Sequence, residues 1–205
     1  IDDLFTEEEL KGALSLEANW LQSSYIENLG VGKFKLTALP LEAQFAPIFG
    51  MLAIDADSDN YLDLLLIGNA YDTELFLGRY DALNGLLLKG GKTGFTVVNH
   101  QQSGFYVPGD AKALAQMKGM DDKIYILATQ NQDEMKVFEK KDMSVITLSP
   151  MDAWLEVQLD DGSQRKTEAY YGHSYLSQSS RIMVLPENTK AYRVFDFQGN
   201  ERPLQ

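Results

Sequence analysis

The apolar run over residues 62–68 is interrupted by Asp63. A spanning helix needs roughly 20 apolar residues, so no segment here crosses a membrane in that way. The other apolar stretches also fall far short of that length, several alternate with polar residues, and clusters of Gly, Asn and Asp separate them. Short alternating runs bounded by turn residues predict β-strands. The expected fold is therefore all-β.

The order of these runs predicts how the strands group. Residues 6–9, Thr6-Glu7-Glu8-Glu9, carry the spacing of a capping box and predict a helical turn near the start. Runs at 13–20, 24–27 and 33–39 predict a three-stranded meander, with Gly30-Val31-Gly32 as a tight turn before the last strand. A four-stranded unit is expected from 49–54, 62–68, 85–88 and 95–98, and a second from 111–116, 124–129, 135–139 and 145–148. Periods of about 40 to 60 residues, each with four short strands, are the signature of propeller blades. Two to three blades of a partial β-propeller are thus expected over residues 1–149. Beyond Pro150 the strands lengthen, at 153–159, 165–171, 182–185 and 191–197, with Asp160-Asp161-Gly162 as a hairpin turn. Residues 150–205 are expected to form a small C-terminal β-module, with the boundary near Ser149.

With 205 residues, 44 % of them apolar, the chain can bury a real core as one large or two smaller domains. Thirty acidic residues against 18 basic ones give a net charge of −12, which disfavours a nucleic-acid partner and favours cations. The absence of cysteine removes disulfides and thiolate zinc sites, and leaves the redox compartment unread. Calcium needs only oxygen ligands and stays available. The chain opens on Ile1-Asp2-Asp3 rather than on the Met, basic and apolar stretch of a secretory signal. It is expected to be a piece of a longer protein, with upstream blades missing or self-association covering the open sheet edges.

One segment carries chemistry. Asp55-Ala56-Asp57-Ser58-Asp59-Asn60-Tyr61-Leu62-Asp63 sets carboxylates at positions 1, 3, 5 and 9, with the Tyr61 carbonyl at position 7. Alternate side chains can wrap a hard cation that takes six to eight oxygens. Four like charges in nine residues repel one another unless a cation neutralises them, whereas the plainer alternative is a solvated acidic turn. An EF-hand is excluded, because position 12 is Leu66 and both flanks read as strands. Position 6 asks for positive φ, which Asn60 tolerates next best after glycine.

The hairpin Asn28-Leu29-Gly30-Val31-Gly32-Lys33-Phe34, together with the loop from Asp55 to Asp63 leading into Leu64-Leu65-Leu66-Ile67, resembles the FG-GAP/VCBS repeats of integrin-like β-propellers. That resemblance implies calcium held by Asp55, Asp57, Asp59, the Tyr61 carbonyl and Asp63. Asn60 stands where the family has glycine, and Val31 where a polar turn residue is usual. The second unit has Lys118-Gly119-Met120-Asp121-Asp122 at the corresponding place, without alternating acids, so no calcium is expected there. Gly172-His173-Ser174-Tyr175-Leu176-Ser177-Gln178-Ser179 is similar to the signature of ASPIC/UnbV modules, which follow FG-GAP repeats in secreted bacterial proteins. The resemblances imply an extracellular, cell-surface or periplasmic location.

His100 and His173 lack the spacing of a metal pair or of a nucleophile and base, and the serines around His173 lack a nucleophile elbow. No catalytic residue is assigned. Phe105-Tyr106, Tyr170-Tyr171 and Tyr175 are read as core aromatics before a stacking patch. The expected function is a calcium-stabilised binding or structural module for a glycan or protein ligand. The alternative is a carbohydrate hydrolase or lyase using loop carboxylates such as Glu74, Asp81 and Asp110.

Overall fold

A computed structural model describes residues 4–121, 123–140 and 144–203. These residues are all-β apart from a few single helical turns, and none of their helices is long and apolar enough to cross a membrane. The chain forms two compact units, Ile1–Ala38 and Leu39–Gln205.

In the first unit, β1 (Ser24–Gly30) and β2 (Lys33–Ala38) make an antiparallel hairpin. Its tip is Val31-Gly32 with φ of 53° and 72°, the paired positive values that a two-residue hairpin turn demands. Asn28 Oδ1 accepts the Gly30 N–H at 2.9 Å and fixes the entry to the turn. Residues 13–20 do not form the expected third strand. They are exposed and make no ladder, since no apolar face is offered for them to cover. The capping box does close, with the Thr6 N–H donating to Glu9 Oε2 at 2.8 Å and the Glu9 N–H to Thr6 Oγ1 at 3.4 Å. Only a series of turns follows it, because so short an unpacked helix does not outweigh its nucleation cost.

The second unit opens with a 3-10 turn (Leu41–Gln44), then β3 (Ile48–Ile54), β4 (Asp63–Gly68), β5 (Leu86–Lys89) and β6 (Thr96–Val98), an up-and-down antiparallel sheet. A single helical turn, α1 (His100–Ser103), leads on to β7 (Ala111–Lys118), β8 (Ile124–Gln130) and β9 (Lys136–Lys140), a three-stranded sheet of the same meander type. The strands that follow are β10 (Ser144–Thr147), β11 (Asp152–Leu159), β12 (Gln164–Glu168), β13 (Ile182–Leu185), β14 (Thr189–Asp196) and β15 (Glu201–Arg202).

The second meander lacks the fourth strand expected from residues 145–148. β10 pairs instead with β13, and the remaining strands form a sheet in the order β12-β11-β14-β15. The reason lies in packing: Ile146 and Leu148 join Leu155, Val157, Met183 and Val194 in one apolar cluster, so the strand gains burial on that side. A connection thereby runs across the expected boundary near Ser149. None of these sheets closes on itself.

Two apolar clusters organise the meanders. Leu65 and Ile67 of β4, with Leu52 and Ile54 of β3, meet Ala111 and Leu114 of β7 and Ile126 and Ala128 of β8. The opposite side chain of β4, Leu66, packs with Ala43, Ala46, Leu83, Leu86 and Leu88. β4 is thus covered on both sides, which suits its nearly unbroken apolar sequence. Gly50 lets the sheets approach, since a Cβ there would come within 2.6 Å of Ile67 and 2.9 Å of Leu114.

Directly after β4, Asn69 is fully buried at 0 % exposure with φ of 85°. Its Nδ2 donates to the Leu83 carbonyl at 3.0 Å and the Gly109 carbonyl at 2.9 Å, and its Oδ1 accepts the Leu83 N–H at 3.0 Å. One side chain thereby joins the end of β4, the long connection before β5 and the segment entering β7. Asn69→Ala leaves these backbone groups unpaired and is expected to cost about 3 kcal/mol, at ~1 kcal/mol per bond. Urea unfolding checks this, and a loss under about 0.5 kcal/mol would show that water replaces the amide.

Candidate metal centre

Ile54 and Asp63 are paired residues across the β3–β4 ladder, so residues 55–62 form a hairpin connection that returns on itself. Ser58 and Asn60 carry positive φ, 63° and 68°, which bends the loop inward at position 6 as the spacing requires. Side chains 63, 65 and 67 of β4 share one face by the two-residue period of a strand. Asp63 therefore points the same way as the buried Leu65 and Ile67, and is itself only 1 % exposed.

That burial pushes the Asp63 carboxyl above its ordinary range, and the charges of Asp57 and Asp59 push the same way. Two backbone donors oppose them: the Ala56 N–H reaches Oδ2 at 2.7 Å and the Gly90 N–H reaches Oδ1 at 2.8 Å. Gly90 has no room for a side chain, because a Cβ would lie 2.2 Å from the Leu62 carbonyl oxygen. The turn after β5 is thus docked directly on the acidic loop.

Asp55, Asp57 and Asp63 come together, each offering a carboxylate oxygen within 4.8 Å of the others. Asp55 Oδ2 accepts the Asn60 N–H at 3.0 Å, while Asp55 Oδ1 and Asn60 Oδ1 are buried without a hydrogen-bond partner. Buried oxygens with no donor beside a carboxylate cluster form a donor set that fits a hard cation. Asp59 lies outside this group. The Tyr61 N–H donates to its Oδ1 at 2.9 Å and Lys89 Nζ stands 3.1 Å from its Oδ2, which hold its carboxyl below the usual range, the Tyr61 bond foremost.

Three cationic side chains reach the loop, and the acidic pattern gave no sign of them. Lys89 pairs with Asp57 as well as Asp59, and these carboxylates raise its pKa. Lys140 Nζ donates to the Asp55 carbonyl, and its half-burial lowers its pKa against the pull of Asp55, Asp63 and Asp57. Arg165 donates to the Asn60 carbonyl. Lys89 arrives through the Leu64↔Leu88 pairing of β4 with β5, a long-range register that no local spacing encodes.

Away from the loop, Asp110 is buried and engaged by Lys112 Nζ at 2.7 Å and Asn131 Nδ2 at 3.2 Å. Ser174 and Ser177 share a hydrogen bond of 2.9 Å, and Ser179 Oγ accepts the Gln116 N–H at 2.9 Å. Phe105 is buried in the core between the meanders, and Tyr170 tilts over His173. Burial, then the nearby Arg181 charge, lowers the His173 pKa.

No protein-family model, curated protein or solved structure matches this chain.

Two expectations follow from this geometry. Asn60→Gly releases the cost of a side chain at φ 68° and should stabilise the apo protein by up to about 1 kcal/mol. A drop in cation affinity in that variant would assign Asn60 Oδ1 as a ligand. For His173 the folded pKa lies below the unfolded value near 6.5, so the unfolded chain takes the proton first as pH falls. Its contribution is constant well above pH 6.5 and becomes unfavourable below it. In urea titrations from pH 7.5 to 5.5 the wild type should lose more stability than His173→Gln, and parallel curves would refute the assignment.

Proposed function

We propose that this chain is a calcium-stabilised binding or structural module of a secreted or cell-surface bacterial protein, formed from FG-GAP/VCBS-type propeller blades and an ASPIC/UnbV-like C-terminal β-module. The observation that carries the reading is the convergence of Asp55, Asp57 and Asp63 on the turn that enters the buried strand β4. Support for blades comes from two successive meanders that share one apolar core, with their first strands β3 and β7 in contact. The ligand class is a glycan or a protein. The open edges of the meanders are covered in the native protein by further blades or by another copy.

In this reading Asp55, Asp57 and Asp63 hold the ion, and Asp59, which lies outside that group and pairs with Lys89, turns in with the Tyr61 carbonyl to complete the shell once the ion displaces Lys89. Calcium supplies two positive charges at a point where carboxylates crowd. Asp63 ties the loop to β4 and, through Gly90, to the turn after β5, so neutralising it strengthens the junction of three segments. Lys89 is half-exposed on its long stem and yields its place to the stronger charge. Calcium at the levels found outside cells is enough for a module of modest affinity.

A ligand bound only by the folded state adds RT ln(1 + [L]/Kd), about 2.7 kcal/mol at a hundredfold excess over Kd. Calcium is therefore expected to raise the melting temperature of the wild type and leave that of Asp57→Ala unchanged. If chelator and calcium give the same melting curve for the wild type, the three lysine and arginine contacts neutralise the loop by themselves and the calcium reading fails.

A further inference from the structure

A cavity of about 220 Å³ lies between β3 with the acidic loop and the C-terminal strands, and Gln116 of β7 lines it as well. Leu155, Val157 and Met183 give it an apolar wall, and Gln116, His173 and Arg181 line it with polar groups. Gln116 is only 8 % exposed, and its Nε2 is buried without a hydrogen-bond partner. Its backbone is bonded on both sides to the segment that precedes Arg181: the Gln116 N–H donates to Ser179 Oγ at 2.9 Å, and the Ser180 N–H to the Gln116 carbonyl at 2.8 Å.

Arg181 is held in place from behind. Its Nε and Nη2 donate to the Ser149 carbonyl, both at 3.3 Å, Nη2 also donates to the Asp152 carbonyl, and its guanidinium lies 4.2 Å from the centre of the Tyr171 ring. Nη1 is buried with no partner, and among the described residues no carboxylate pairs with this guanidinium. In a chain with 30 acidic residues, a fixed arginine without an ion-pair partner is unusual. Leaving a buried donor unmade costs more than the bond itself returns, so two such donors at one cavity call for an acceptor. His173 accepts the Ser179 N–H at Nδ1, 3.4 Å away, which leaves the ring proton on Nε2 as a third donor.

We propose that this cavity binds a small monocarboxylate, whose oxygens accept from Arg181 Nη1 and Gln116 Nε2 while its body packs on Leu155, Val157 and Met183. Of the charged residues that line the cavity, Lys140, Arg165 and Arg181 stand against Asp55, Glu168 and Glu187, so the lining is near neutral and suits a monoanion better than a dianion such as phosphate. The cavity also reaches the acidic loop at Asp55 and Ser58, but its two unpartnered donors, on Gln116 and Arg181, are there whether or not that loop takes calcium. Two sources share this chemistry: a uronic acid unit of a glycan, and a free organic acid with an apolar body.

Isothermal titration of the folded protein with glucuronate and with phenylacetate, against the neutral methyl glucoside and phenylacetamide, separates them. At least one acid is expected to bind with Kd below about 1 mM, and its neutral partner at least tenfold more weakly. Glucuronate alone would mark a glycan end, and phenylacetate alone a free acid. Gln116→Met removes an unpartnered buried donor, so it should melt at or above the wild-type temperature and yet bind the acid about tenfold more weakly. Arg181→Gln should abolish binding, but it also frees the Ser149 and Asp152 carbonyls, and Gln116→Met therefore carries the test. The proposal is overturned if neither acid binds, if the neutral compounds bind equally well, or if Gln116→Met keeps full affinity.

Discussion

The second unit depends on the burial of β4 from both sides. Leu65 and Ile67 face the second meander while Leu66 faces Leu83, Leu86 and Leu88, so one strand of six residues belongs to two apolar clusters. Removing this much apolar surface from water is the dominant favourable term in folding a sheet. A strand so placed has no solvent face on which to put polar groups. The polar residues at its two ends, Asp63 and Asn69, are consequently buried as well, and each has to find partners within the protein.

The two ends resolve that demand differently. Asn69 is neutral and meets backbone donors and acceptors from two distant segments, which turns a buried amide into a clamp. Asp63 is charged, and two N–H groups answer it only in part, for burial still raises its carboxyl above the usual range. Asp55 and Asp57 add charge beside it. Lys89, Lys140 and Arg165 gather around the same loop for the same electrostatic reason that a divalent ion would be attracted there. The acidic loop is thus a point of concentrated charge attached to the most buried strand of the fold, and whatever neutralises it acts on the stability of the whole sheet.

The C-terminal strands are joined to the rest by polar as well as apolar contacts. β10 leaves the second meander to pair with β13, and the serines before Arg181 bond to the backbone of β7. The cavity beside Arg181 arises where these two systems meet without filling the space between them. A fixed guanidinium and a buried amide with no partner are the cost of that arrangement, and they give the space its chemical character.

Alternation and turn chemistry in the sequence alone determined that the protein is all-β, and placed nearly every strand of residues 24–196 within a few residues, because both signals are local. They likewise located the acidic loop and the positive φ at Asn60. The two-residue strand β15, made of Glu201 and Arg202, left no apolar trace to read. Residues 13–20 carried a strand-like pattern that no neighbour rewarded, and 145–148 were correct as a strand but found their partner far along the chain rather than beside them, as in the Thr147↔Ile182 and Ile146↔Met183 pairs. Partner choice belongs to the tertiary structure, since hydrogen-bonding edges are alike and only the burial available on each side distinguishes them. The same holds for the sites. Spacing brought Asp55, Asp57 and Asp63 to one hairpin, while the arrival of Lys89, Lys140 and Arg165, and the meeting of Gln116 with Arg181, depended on segments far apart in sequence being folded against one another.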